Sequence, residues 1–349
     1  MPAASIHAPA GRLAALFAAL LLSLAPHAAA GQTAPRIAVT GIPLDDRPSL
    51  SGAIVRTTAE EERARLVDRA AERTRAEQTY HIRPALWRIR DRDTVIYLFG
   101  TIHALPPGFR WRTPALERAI AAADSLLLES LSDEGDRVTF LEGMPEAAAL
   151  PPLIDRVSAP YRRRLAEYQA LLPQEAVDQL DRMPTWIAAM AVGYVKDLAS
   201  GEVPGPGADD WLEQNFRARG RPVEAIEDSR AVISTLNAVP EPAQRLMLEA
   251  AIDAPVRSHA ELSVPVHAWA RGDTGPHSPL IIAPTDIDPS AALTDPLVAR
   301  RNLAWAGYLA RRMDRPGTVL FAAGAGHFVG PGSVIELLRN RGFLIERVQ

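Results

Sequence analysis

The chain has 349 residues, room for one large domain or two modest ones, and its 47% hydrophobic and 23% charged content excludes a disordered, collagenous or coiled-coil polypeptide. A net charge of −4 without any dense basic block argues against nucleic acid as a partner. With no cysteine there is no disulfide, thiolate metal site or cysteine nucleophile, so a bound metal would have to be held by His and carboxylates.

Arg12 precedes the apolar run Leu13–Ala25, which is short for a bilayer span but suits a signal h-region, and Ala28-Ala29-Ala30 supplies small residues for cleavage. Residues 1–30 are therefore expected to be a signal peptide, and the mature chain to be exported, periplasmic or secreted, with no membrane span after signal removal. Residues 31–83 form a leader or tether: a loose Gly/Pro/Ser stretch, then a Glu/Arg-rich solvated helix from Glu60 to Gln78.

The main domain is expected over 84–349. Ala85–Arg90, the turn Asp91-Arg92-Asp93 and Thr94–Phe99 predict a β-hairpin ending at Gly100. Thr113-Pro114 is a helix N-cap followed by proline at the first helical position, and the helix leads into a strand over 125–129. Strand, helix, strand implies a right-handed parallel crossover. Residues 133–200 carry helical spacing with repeated proline and read as an inserted helical lobe.

A helix from about Asp209 to Arg219 precedes a strand over Arg221–Glu227. Helices are expected at Ser229–Asn237, Pro242–Asp253 and His259–Arg271, followed by a Pro-rich loop from Gly275 to Pro289. A long helix, Pro296–Asp314, then feeds the apolar strand Thr318–Ala323, and helix Ser333–Arg341 and strand Phe343–Val348 close the chain. The fold class is α/β: a mixed, largely parallel sheet formed by the N- and C-terminal parts of the chain, with the helical lobe inserted.

Four of the predicted strands end in a metal-capable or proton-transferring side chain: His103 after Gly100, Glu129, Glu227, and His327 after Gly324. Ligands of open α/β sheets bind outside the carboxyl ends of the strands, so these four are expected to share one crevice. The pattern Gly-x-x-His is weak alone; its weight is that Gly100-Thr101-Ile102-His103 and Gly324-Ala325-Gly326-His327 both follow an apolar strand. Glycine at a strand exit allows a sharp turn or a close approach to ligand. Two imidazoles and a carboxylate suit Zn, Mn or Co, whose bound water can be acidified, while a second carboxylate takes its proton.

Glu129 and Glu227 are the candidates for ligand and base. Glu227 could equally be a favourable charge at the start of the Ser229 helix. Arg301-Asn302 can anchor a substrate carboxylate or hold a loop. Trp211, Trp269 and Trp305 read as core, and His81, His259, His267 and His277 as surface or structural, without a convergent partner.

The residues Leu86-Trp87-Arg88-Ile89, Phe99–His103, Leu128-Glu129, Ile226-Glu227, Arg301-Asn302 and Ala323–His327 together make the chain resemble the TraB/PrgY/GumN family, related to the Tiki proteins, over about residues 84–349. The resemblance implies a metal-dependent protease using two Gly-x-x-His motifs and glutamates, with His103, Glu129 and His327 as metal ligands and Glu129, Glu227 and His103 in catalysis. Ala225-Ile226-Glu227-Asp228 stands where the family pattern has Gly-Leu-Glu-Thr, and the leader lies outside the resemblance. The wider superfamily is similar to erythromycin-esterase-like and haem-binding ChaN-like folds.

Three functions follow as expectations. The first is an exported metal-dependent hydrolase, a peptidase, acting on a peptide or small molecule. The second is a metal-independent esterase-like hydrolase in which His103 is the base and Glu129 orients it. The third is a non-catalytic protein binding haem or a peptide.

Overall fold

A computed structural model describes residues 59–131, 150–282 and 298–349. The expected signal peptide, the leader up to residue 58, residues 133–149 of the inserted lobe, the end of the Pro-rich loop and the Pro296 helix start lie outside the described residues. Elements are numbered in chain order.

The hairpin forms as expected, β1 (Leu86–Arg90) against β2 (Thr94–Thr101), with Leu86 opposite Phe99 and Arg90 opposite Val95. Its turn is held by the Asp91 carboxylate, which accepts from the amides of Asp93 (3.1 Å) and Thr94 (2.8 Å), the local bond that makes Asp a turn residue. Helix α2 (Pro114–Ala122) starts where Thr113 Oγ1 accepts from the Leu116 amide, and buries Leu116, Ala119 and Ile120. It carries the chain across to β4 (Ser125–Leu128). The last long strand, β7 (Gly317–Gly324), enters between them, parallel to both, with Phe99 beside Ala322 and Leu128 beside the same residue. β6 (Val223–Ala225) flanks β4 in parallel, and β8 (Glu346–Arg347) flanks β1 antiparallel.

The sheet order is therefore β6-β4-β7-β2-β1-β8, mostly parallel, built from both ends of the chain. Its central strands are unbroken apolar runs because both faces are covered: Leu98, Phe99, Leu320 and Phe321 are fully buried. β6 and β8 are shorter than the sequence suggests. Each is an edge strand with a single partner: β6 pairs up to Leu128, where β4 ends, and β8 pairs only with Trp87 and Arg88 of β1.

Between β4 and β6 lie α3 (Ala159–Gln169), α4 (Gln174–Arg182) and α5 (Thr185–Ala199), then the two-residue strand β5 (Gly205–Pro206), which pairs with β3 (Ala104–Leu105), and α6 (Ala208–Ala218). The lobe has its own apolar core, with Leu165, Leu180, Trp186, Ile187 and Val192 packed on Leu236, Met247, Leu248 and Ile252. The helices α7 (Ser229–Asn237) and α8 (Glu241–Asp253) that follow β6 thus complete the lobe. Lys196 on α5 is buried and its ammonium donates to the carbonyls of Ala251, Ile252 and Ala254, closing the C-terminal end of α8.

α9 (His259–Ala270), α10 (Arg300–Arg312) and α11 (Val334–Asn340) cover the main sheet. No helix among the described residues is long and apolar enough to cross a membrane. The Glu/Arg-rich segment is helix α1 (Ala59–Glu77), and one side of it is docked: Ala70, Thr74 and, just beyond it, Gln78 are buried at four-residue spacing.

Candidate functional site

Because β6, β4, β7 and β2 are parallel neighbours, their carboxyl ends lie along one edge of the sheet, and the residues that follow them share one place. Glu129 directly follows β4, Glu227 lies two residues past β6, His103 two past β2, and His327 on the short 3-10 turn Ala325–Phe328 after β7. The structure brings His103, Glu129 and His327 together around Gly324, and Glu227 joins them through Arg301, which bonds both carboxylates. A methyl group on Gly324 would stand 3.1 Å from His103 Nε2, 3.2 Å from Glu129 Oε1 and 3.7 Å from His327 Cδ2. His327 Nε2 lies 3.9 Å from Glu129 Oε1, and that oxygen accepts from the Gly324 amide at 2.5 Å.

The two motif glycines serve different ends. Gly100 is still within β2, and the space of its missing side chain is filled by Ala325, whose Cα would be 2.9 Å from a Cβ there. It lets the turn of the second motif pack on the strand of the first, so its role is chain packing and not the turn expected at a strand exit. Gly324 has φ −50° and ψ 134°, open to any L-residue, so what it supplies is empty volume between His103 and Glu129.

Both imidazoles are oriented from behind. His103 Nδ1 donates to Asp209 Oδ2 at 2.8 Å, and Asp209, in the first turn of α6, is buried. His327 Nδ1 donates to Asn302 Oδ1 at 2.6 Å; the Asn302 amide is fixed in turn by its Nδ2 donating to Gly332 O at 2.9 Å. Each ring therefore presents Nε2 to the site. Burial holds His327 neutral, its pKa pulled down to about 3 against the attraction of Glu129. In a pH titration followed by nitrogen-proton NMR correlation, His327 is expected to keep the neutral Nδ1–H tautomer down to pH 4. A transition near the ordinary value of ~6.5 would contradict the arrangement.

Arg301 ties the carboxylates together. Its Nε donates to both Glu227 oxygens at 3.0 Å, its Nη2 to Glu227 Oε1 and, at 2.9 Å, to Glu129 Oε2, while Nη1 approaches His327 Nε2 at 3.5 Å. Burial opposes charge on Glu129, but Arg301 first of all, with the Gly324 amide, outweighs it and holds that carboxyl well below the usual range. Glu227 goes the other way: burial pushes it up despite hydrogen bonds from Arg301 and, at 3.0 Å, from Trp305 Nε1. Arg301 and Asn302, expected to meet substrate, make these contacts with protein groups.

Sequence reading missed two residues of this cluster. Trp305 is in the core as expected, yet its ring also lies 4.4 Å from that of His327 and 4.7 Å from the Arg301 guanidinium carbon. The signal was available: Arg301 and Trp305 are one helical turn apart. Asp209 looked like an ordinary acidic residue in the first turn of a helix, and nothing local announces its partner 106 residues away.

Two imidazoles, each backed by a hydrogen bond at Nδ1, and an ionised carboxylate beside a gap tight even for a methyl group are the donor chemistry that a divalent metal requires. The two carboxylates and one guanidinium leave a formal excess of one negative charge. As placed, no three His, Asp or Glu side chains among the described residues close to coordinating distance. The fit is thus one of donor type and direction.

The model of the TraB/PrgY/gumN family matches residues 85–347, from β1 to β8. No curated protein and no solved structure matches the chain. Family model and strand-end cluster coincide over most of the sequence, and the chain belongs to the TraB/PrgY/gumN family.

Proposed function

We propose that this chain is an exported hydrolase, a peptidase in the first instance, that uses a divalent metal (Zn, Mn or Co) held by His103 and His327 with Glu129. The observation that carries the reading is the pair of imidazoles beside the Gly324 volume, His103 through Nε2 and His327 through its Cδ2 edge, each locked by a partner at Nδ1. A bound metal of this kind supplies a water acidified to near neutrality. Glu129, held ionised, suits a ligand better than a base. Glu227, its carboxyl pushed up by burial, is the better suited of the two to take up a proton, and Arg301 bonds both carboxylates. Export rests on Arg12 and the apolar run Leu13–Ala25.

One contact favours a second reading. The 2.8 Å bond from His103 to the buried Asp209 is also the arrangement of a general base and its orienting carboxylate, which would give metal-independent hydrolysis. In that reading Asp209 takes the orienting role first expected of Glu129.

Elemental analysis of the dialysed mature protein separates the two. The metal reading expects stoichiometric Zn, Mn or Co in the wild type, lost in both His103→Ala and His327→Ala. A wild type that carries none and takes up none on titration, yet turns over peptide or ester in the presence of a chelator, would establish the second reading instead.

A further inference from the structure

His259 and His267, read from sequence as isolated, converge on the helix that precedes the family-matched region. Glu77, the last residue of α1, lies with its oxygens 2.9 and 3.1 Å from His259 Nε2 and one of them 3.5 Å from His267 Nε2. The other nitrogen of His259, Nδ1, is 2.5 Å from Glu202 Oε1, in the loop leading to β5. Both nitrogens of one imidazole thus face carboxylate oxygens, which accept and do not donate when ionised. Both contacts are satisfied together only with a proton on each nitrogen.

Other charged groups nearby are Arg73 on α1, 3.9 Å from Glu202, Arg257 just before α9, paired with Asp197 on α5 at 2.9 Å, and, near His267, Arg271 just past α9. Tyr80, just past α1, bonds His267 Nδ1 at 2.5 Å, with Arg110 near it.

What this bridge ties down is the arm that carries His103. His103 lies outside the main sheet, on the link from β2 to β3. It is held by the pairing of β3 with β5 and by the Ala208 amide on Ile102 O at 2.9 Å, which also seats Asp209. α1 and the residue after it contact the chain that flanks both strands of that arm. Glu77 reaches the β5 side through His259 and Glu202. On the β3 side Gln78 exchanges two 2.8 Å bonds with the Arg110 backbone and accepts at its carbonyl from the Arg110 side chain at 3.0 Å. Gly108, at φ 74°, brings its backbone against Ala71 so closely that a Cβ there would be 3.1 Å from the alanine methyl.

We infer that α1 is a proton-controlled strap: protonated His259, bridging Glu77 and Glu202, fastens the leader helix across the β3–β5 arm and so holds His103 and Asp209 in register. As pH rises and His259 loses its proton, one nitrogen turns its lone pair toward a carboxylate, one bridge is lost, and strap and arm loosen together. That this regulates the site rests on the function proposed for His103; the strap itself does not.

The test is hydrogen exchange by mass spectrometry on the mature chain from pH 5.5 to 8.5, corrected for intrinsic rates, so that it needs no substrate. Peptides covering α1, 102–110 and 202–209 are expected to lose protection together, at least tenfold, through one transition as pH rises. The variant His259→Gln, checked for folding by circular dichroism, should show no such transition, and Glu202→Gln a weakened one. A wild type without pH dependence in α1, opening of α1 that leaves 102–110 and 202–209 unchanged, or a transition retained in His259→Gln would each overturn the proposal. Metal analysis is read separately, so a chain without metal but with the transition rejects the metal-dependent reading and keeps the strap.

Discussion

Replacing Arg301 by Met is expected to destabilise the protein by ~3–5 kcal/mol, the usual cost of removing one partner from a buried ionic cluster. Arg301 is about one-eighth exposed, and its guanidinium is shared by Glu129 and Glu227, themselves 10% and 15% exposed. Methionine fills similar space but leaves two buried carboxylates without their cation. At ~2–4 °C per kcal/mol for a domain of this size, Tm should fall by about 6–20 °C.

The loss has a sign in pH. Without Arg301 both carboxyls have folded pKa values above the unfolded ~4.3, so the penalty is present above the folded pKa and is relieved as pH falls through it. The variant should therefore recover toward wild-type stability in mild acid, and Glu227→Gln added to Arg301→Met should restore part of the loss at neutral pH. A variant with wild-type Tm at neutral pH and only a raised KM would instead support the substrate-anchoring role that the sequence suggested for Arg301.

That contrast shows where sequence reading stops. The hairpin, the Thr113-Pro114 helix start and the apolar strand over 318–323 are legible because their signals are local: turn residues, a cap, a run with no alternation. The convergence of His103, Glu129, Glu227 and His327 is legible for a topological reason, since parallel strands place their exits on one edge whatever the distance between them in sequence. What holds those groups is not. Asp209, Asn302 and Trp305 reach them from helices, and a helix N-terminal Asp or a mid-helix Asn looks the same whether it faces water or an imidazole.

The docking of α1 escaped for another reason. It packs through Ala70, Thr74 and Gln78, a stripe too polar and too small to register as an apolar face. The lobe likewise recruits α7 and α8 from beyond β6, a tertiary choice that helical periodicity does not encode.

Substituting Gly324 by Ala is expected to weaken metal uptake at least a hundredfold, and turnover with it, while leaving the fold intact. A glycine at a strand exit is usually explained by its backbone, but here φ −50° and ψ 134° suit alanine, and such a replacement stabilises by ~0.4–1 kcal/mol through the unfolded chain when nothing else changes. What changes is the site. The methyl would stand 3.1 Å from His103 Nε2 and 3.2 Å from Glu129 Oε1, so those groups must give by a few tenths of an ångström, away from each other and from anything bound between them.

Such a shift of His103 strains its bond to Asp209, and one of Glu129 strains its bonds to the Gly324 amide and Arg301. The cost therefore falls on ligand binding: titration with Zn or Mn should show uptake at least a hundredfold weaker, with Tm within a few degrees of wild type. By contrast Gly100→Ala, whose methyl would meet the Ala325 backbone at 2.9 Å, should lower Tm first. Equal metal uptake in Gly324→Ala and wild type would mean that the volume between His103 and Glu129 is not where the cation sits.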